Sequence, residues 1–291
     1  MEINTLQKHI QSTTKLQSIV KSMKTLSAVN IRQYEKAVQS LGNYLRTIEL
    51  GLQVVLKGRA IPSIALGNRT SSPRRGLVVF GSDQGLCGRF NEKLVELVIE
   101  DCRNQQLEKS TLHLLVIGNR LGEQLETAGF TIDEYFETPN SIHSINKNVF
   151  QILLALEKWQ ADHIDLFFNQ HAAGSGGRPY RRTLLPMDNT HLRHIKKRSW
   201  HGHTLPTFAI TPSRLFTGLI RQYLFVSLFR AQTESLESEQ ASRLLSLQNA
   251  EKNIQDHLEE LKADFRIKRQ TAITSELLDI VAGFKAAAGT H

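Results

Sequence analysis

Two long stretches without a helix breaker occupy the two ends of this chain, and each carries an apolar stripe too narrow to be a core by itself. From Ile3 to about Lys57 there is no proline, and Gly42 and Gly51 stand isolated; at 1.5 Å per residue this predicts a helix of roughly 80 Å. Its stripe runs Tyr34, Val38, Leu41, Leu45, Ile48, Leu52 and Val55, alternating steps of four and three. A second helical pattern from about Pro212 to Gly283, roughly 110 Å long, carries Leu244, Leu247, Ile254, Leu258, Leu261 and Phe265, then Ile273, Leu277, Ile280 and Phe284. Each stripe needs a partner helix, and the simplest partner is the other end of the chain. The expectation is one long antiparallel coiled coil. Leu16, Ile19, Met23 and Leu26 keep heptad spacing, but the eight-residue step from Leu26 to Tyr34, across Asn30, reads as a phase break where the helix curves or changes partner.

Between the ends the pattern changes. Residues 58–76, with Pro62, Pro73 and several Gly and Ser, read as a linker. Short apolar runs at Leu77–Phe80, Leu112–Ile117 and Ile164–Phe168 alternate with helical stretches from about Gly88 to Cys102, up to Thr127, and from Asn148 to Trp159. That alternation predicts a Rossmann-like α/β domain with a mainly parallel sheet. Ala172–Gly177 reads as a flexible loop, and Tyr180–Leu185 as a further strand. The expected division is an N-terminal coiled-coil helix over 1–57, the linker, the α/β domain over 77–205 and a C-terminal coiled-coil helix over 206–291.

A formal charge of +8 asks for an acidic partner. Eight Lys and Arg against three Glu lie in residues 1–57, off the expected seam, and a second concentration spans Arg178–Arg198, with Arg181, Arg182, Arg193, Lys196 and Lys197, as a basic loop. Cys87 and Cys102 have no metal-ligand spacing, and two cysteines make no disulfide framework. Met1 is followed by Glu2 and a polar amphipathic stretch rather than a secretory signal, and Leu215–Phe229, interrupted by Arg221, is too short to span a bilayer. There is no GxxxxGK with a following Ser or Thr, and no HExxH. The turn Gly81–Gly88 follows a strand and opens a helix, where backbone N–H groups could hold an anion, but a tight turn with close helix–sheet packing is the stronger reading. No active site, cofactor or metal is expected.

Three blocks carry a family resemblance. The run Ser12–Lys24, with Gln17, Ile19, Lys21 and Met23, resembles the N-terminal helix motif of the γ subunit of F-type ATP synthases; Gly85-Leu86-Cys87-Gly88 with Asn91 is similar to the family's GLCGGLN signature; Ser238–Arg243 and Arg269–Leu277 resemble its two C-terminal helix motifs. Order and spacing agree over nearly the whole chain. Arg89-Phe90 in place of the usual Gly-Leu, Asn30 where Lys is common and the extension from Phe284 to His291 depart from the pattern, in the manner of a divergent branch such as the alternate bacterial or archaeal synthase.

The resemblance implies a central rotor shaft without bond chemistry of its own. It couples ion translocation to ATP turnover inside a ring of α and β subunits, with the α/β domain near the ε subunit and the membrane rotor (c) ring. It further implies a peripheral position at the cytoplasmic face of the inner membrane. Lys21, Met23, Lys24 and Arg243 become candidate contacts to acidic β-subunit loops. Arg269, Gln270, Thr274 and Glu276 become a polar catch at the far end of the shaft. The competing reading is a basic coiled-coil nucleic-acid-binding protein, carried by the net charge and Arg178–Arg198.

Overall fold

The computed structural model describes residues 3–57, 74–172, 176–187, 189–200, 204 and 206–288. Most of the expected linker lies outside the described residues, and its last two positions, Arg75 and Gly76, open a strand. The elements are α1 (Ile3–Leu56), β1 (Arg75–Phe80), α2 (Phe90–Asn104), β2 (Leu112–Ile117), α3 (Asn119–Thr127), β3 (Glu134–Phe136), α4 (Ile142–Trp159), β4 (His163–Ala172), β5 (Gly176–Leu185), α5 (Asn189–Lys197) and α6 (Pro212–Ala288). The chain forms two compact units, Met1–Leu26 with Leu245–His291, and Ser27–Leu244.

In the first unit the start of α1 and the end of α6 lie antiparallel, since Lys24 pairs with Glu251 while Gln17, further back in α1, pairs with Gln255, further on in α6. Leu6, Val20, Leu247, Leu258 and Leu261 are its buried apolar side chains. The C-terminal stripe thus holds from Leu244 to Phe265. Beyond it Ile273, Leu277 and Ile280 are 47%, 58% and 55% exposed. The register brings Ile3, the first described residue of α1, level with about Gln270, so among the described residues the later turns of α6 have no α1 turn beside them. The side chain of Phe284 lies outside the described residues.

Along α1 the inward positions differ from the expectation. Leu6, Ile10, Thr13, Gln17, Val20, Lys24, Ser27, Ile31, Tyr34, Val38 and Leu41 are all buried or half-buried, and the alternating steps of four and three continue without interruption to Val55. There is no phase break at Asn30. The seam passes through polar residues, while Leu16, Ile19 and Leu26 stand off it, 49%, 56% and 63% exposed. Polar residues are tolerated there because they satisfy each other across the pair: Gln17 Nε2 donates to Gln255 Oε1 at 2.7 Å and Lys24 Nζ donates to Glu251.

The second unit is built on one five-stranded sheet of order β3-β2-β1-β4-β5, parallel except for β5. Side chains alternate between its faces. Leu77, Val79, Leu114 and Val116 pack with Leu94, Val98, Leu121 and Leu125 of α2 and α3. Val78, Phe80, Leu115 and Ile117 meet Ile145, Val149 and Ile152 of α4, together with Leu228 and Phe229 of α6 and Tyr34 of α1. Both faces being covered explains why the strands read as continuous apolar runs. Helix α4 starts six residues before its expected position, where Ser141 and Ser144 cap it reciprocally, each backbone N–H donating to the other's hydroxyl.

Two expected loops fall at least in part in regular elements, residues 173–175 of the first and 188 of the second lying outside the described residues. Ala172, Gly176 and Gly177 belong to the β4–β5 hairpin, and Arg178–Arg198 is the rest of β5 followed by α5. Leu192 and Ile195 of α5 are buried against Ile48, Leu52 and Val55 of α1 and Phe216 and Val226 of α6.

Candidate functional site

The expected partner-facing residues fall into three groups. Lys21 is exposed, Met23 is half-buried and Lys24 occupies a seam position, already engaged with Glu251. Lys24 is therefore a staple between the two helices rather than a free cation. The helical period sets Lys21 on one flank of the seam and Leu16, Ile19, Met23 and Leu26 on the other. That apolar flank was absorbed into the expected seam, and a surface was thereby missed. The signal was present in the spacing, because a stripe through Leu16, Ile19, Met23 and Leu26 and a stripe through Tyr34, Val38 and Leu41 are out of step and cannot both face one straight partner.

Arg243 is not on the surface. It is 5% exposed, donates to Glu239 Oε1 at 2.6 Å, and points its guanidinium at the carbonyl oxygens of Gln84 and Gly85, each at 3.4 Å. Its guanidinium is thus engaged within the chain. Burial pushes the Glu239 carboxyl above the usual carboxylate range, and the neighbouring Arg243 opposes that rise.

At the end of α6, Arg269, Gln270, Thr274 and Glu276 are all exposed. The structure brings Gln270 and Thr274 together one turn apart, the Thr274 hydroxyl donating to the Gln270 carbonyl at 2.9 Å. They share a shallow groove along the helix with Ile267, Thr271, Ser275 and Leu278. Arg269 and Glu276, seven residues apart, face the direction the seam would take, away from that groove. Exposed apolar side chains surround the whole segment: Ile267, Leu277, Leu278, Ile280 and Val281 are each at least half exposed. Runs of exposed apolar side chains on a helix mark a surface that meets another element.

The turn Gly81–Gly88 does not present an anion cradle. Asn91 braces it, accepting from the Ser82 N–H at 3.1 Å and donating to the Ser82 hydroxyl at 2.9 Å. The carbonyls of Gln84 and Gly85 are what it offers to Arg243, the opposite polarity to an anion site. Asp83, at the same turn, accepts from the backbone N–H groups of Asn119 and Thr138 at 2.6 and 2.7 Å, so its carboxylate is also used internally. Burial raises the Cys87 thiol above its ordinary value, which suits a packed side chain and not a nucleophile.

The basic concentration from Arg178 to Arg198 is partly consumed within the chain. Arg181 bridges Asp101 and Asp165 at 2.6 and 3.0 Å, Arg182 lies over the rings of Phe168 and Tyr180, and Arg198 reaches Glu49 at 3.4 Å. A cationic stripe for a phosphate backbone needs those groups facing outward. Among the described residues no cluster of His, Cys, Asp or Glu suited to a metal is found, and no helix is long and apolar enough to cross a membrane.

Comparison with known proteins gives a consistent picture. A family model described as ATP synthase matches residues 2–287. The chain is 22% identical over 286 residues to the ATP synthase gamma chain of Staphylococcus epidermidis, covering 95% of this chain and 96% of that one. It is 26% identical over 289 residues to the ATP synthase gamma chain of Rickettsia typhi, covering 97% and 98%. Among solved structures it resembles a chain of the Euglena gracilis mitochondrial ATP synthase rotor, with TM-score 0.62 and 16% identity over 93% of this chain and 98% of that one. A chain of the Tetrahymena thermophila mitochondrial ATP synthase central stalk and c-ring aligns with TM-score 0.53 and 19% identity, covering 80% and 99%.

Proposed function

Because the chain belongs to the ATP synthase family over nearly its whole length, and within it is similar throughout to gamma chains, we propose a division of its surface into parts that grip itself and parts that meet the α and β subunits. As a γ chain it is the central rotor shaft of the F1 portion. It couples ion movement through the membrane sector to ATP synthesis or hydrolysis, and it carries no catalytic site. The α and β subunits form the sleeve, and the ε subunit and the membrane c ring meet the α/β domain. The complex holds the chain peripherally at the cytoplasmic face of the inner membrane.

The observation that carries the division is the apolar surface that the folded chain leaves uncovered. Leu16, Ile19 and Leu26 on α1 and Ile273, Leu277, Leu278 and Ile280 on α6 are exposed although each helix has a partner or stands at the end of one. Isolated exposed apolar residues need no explanation, whereas runs of them on one helix face mark an interaction surface. Met23 belongs to the apolar flank of α1, Lys21 lies across the seam from it, and Lys21, Arg269, Gln270, Thr274 and Glu276 form the polar part of the contact with β; Lys24 and Arg243 serve inside the chain. Because Lys21 and the apolar flank lie on different sides of α1, the three β subunits meet different faces of the shaft at one moment. Each face stabilises a different conformation of its β subunit, and rotation exchanges them.

Expression with tagged α and β subunits tests this directly. The expected result is recovery of an α/β/γ assembly whose ATP hydrolysis drives ion pumping when joined to the membrane sector. A chain that fails to co-purify with α and β under conditions where a known γ chain does so would overturn the assignment.

A further inference from the structure

Helix α6 is buried without interruption from Ala231 to Glu239, and apart from Ala231 and Leu236 every residue of that stretch is polar. A polar stretch in such a position costs desolvation unless its groups are paired, and the pairs it makes are directional. The Ser235 hydroxyl donates to the carbonyl of Phe80, the last residue of β1, at 3.0 Å. Glu234 Oε2 accepts from Gln170 Nε2 on β4 at 3.1 Å, and Glu234 Oε1 is held by Arg230 at 2.6 Å. One turn further on stand Glu239 and Arg243, 4% and 5% exposed, joined at 2.6 Å, with the guanidinium on the carbonyls of Gln84 and Gly85 in the turn after β1.

That turn is shaped to be held. Leu86 and Gly88 adopt left-handed backbone conformations, φ 62° and 59°, and the Asn91–Ser82 pair fixes its entrance. A Cβ on Gly85 would lie 2.1 Å from Arg120 Nη1, so the turn packs against Arg120 of α3 as well as Arg243 of α6.

Apolar packing resists separation of α6 from the sheet but is non-directional, and so resists sliding and rolling only weakly. Hydrogen bonds and a forked guanidinium fix orientation, which is the property a torque-bearing contact needs. We propose that Glu239 and Arg243 are positioning residues for rotary coupling: they pinch the Gln84–Gly85 turn so that the α/β block and α6 turn as one body instead of slipping past each other. The inference rests on the shaft reading. It assigns to the turn bearing Gly85-Leu86-Cys87-Gly88 the task of presenting two carbonyl oxygens to the drive helix.

Replacing a buried ion pair by neutral groups of similar volume is often close to neutral for stability, so a paired variant separates a structural role from a mechanical one. The double variant Glu239→Gln with Arg243→Met, in the complete membrane-bound complex, is expected to assemble and to melt near the wild-type temperature. Its ion pumping per ATP hydrolysed should fall by about fivefold, the low end of measured couplings between sites. In the free full-length chain, amide exchange at Leu86–Gly88 should rise about tenfold as the turn is released. Pumping per ATP equal to wild type in an assembled double variant would overturn the proposal, as would unchanged exchange at that turn. Failure of the wild-type chain to join α and β is a separate result, which defeats the shaft reading while the exchange experiment still decides whether the turn is pinched.

Discussion

Replacing Leu16, Ile19 and Leu26 together by Gln separates the surface that holds the chain together from the surface that meets the ring. These side chains are 49%, 56% and 63% exposed in the chain alone. Full burial of a Leu or Ile side chain is worth about 1.5–3 kcal/mol. About half of each remains available for burial by a partner, so each contributes about 1 kcal/mol to docking and the three together about 3 kcal/mol. That is a factor of roughly 100 in affinity. Glutamine keeps the helix propensity and length of the originals, so the helix itself should not suffer.

The free variant should therefore melt, followed by circular dichroism, within a degree or two of wild type, while titration of labelled chain onto an α/β ring should show the roughly 100-fold loss. As a control, Leu258→Ala, at a site 2% exposed, removes a buried contact between α1 and α6 and should cost the free chain about 2–5 kcal/mol. If the triple variant lowered the melting temperature as much as Leu258→Ala, the flank would be part of the fold. If it bound the ring as tightly as wild type, the flank would not be a contact.

Three other perturbations follow from the buried and half-buried charges. Arg243→Ala alone strands the Glu239 carboxylate and should destabilise the chain by about 3–5 kcal/mol in denaturant titration, a cost that the neutral double variant escapes. Lys24→Glu sets a like charge against Glu251 and should destabilise the chain by about 1 kcal/mol, with the swap Lys24→Glu/Glu251→Lys recovering most of it in a double-mutant cycle; side chains 31% and 26% exposed support no larger figure. Burial, then the nearby Glu35 and Glu234, push the Glu237 carboxyl up to about 7. The native state therefore holds a proton that the unfolded chain releases near pH 4.5, so Glu237 costs nothing below that value and progressively destabilises the fold as pH rises to about 7. Glu237→Gln should remove that slope and raise stability at pH 8 by on the order of 1–3 kcal/mol. Parallel stability–pH curves for variant and wild type would contradict the assignment.

The paired ends and the parallel sheet were legible because both rest on apolar periodicity. Leu244, Leu247, Leu258 and Leu261 keep helical spacing on the buried side of α6, and Leu77–Phe80 and Leu112–Ile117 are apolar because both sheet faces are covered. The seam of α1 between Leu6 and Tyr34 was misassigned for a reason the same logic exposes: its inward residues Thr13, Gln17, Lys24 and Ser27 are polar and its flank is apolar. A rule that sends apolar residues inward fails where a second partner, outside the chain, also needs an apolar surface.

Arg243 became a candidate partner contact through the family resemblance, and the structure engages its guanidinium within the chain. Its carbonyl acceptors lie more than 150 residues away in sequence, a separation no local spacing reveals. In a shaft the burial that stabilises the single chain and the exposure that serves the assembly are set on adjacent faces of one helix, so apolar residues mark both faces and the polar pairs Gln17–Gln255 and Lys24–Glu251 stand among buried leucines on the inner one. Polar pairs give up part of the stability that apolar residues would supply on the inside, and they gain a fixed rotational setting for the helix. A rotor must keep its angle under load, and a seam of interchangeable leucines has no angular reference to keep. The directional contacts of Gln17, Lys24, Ser235 and Arg243 provide one.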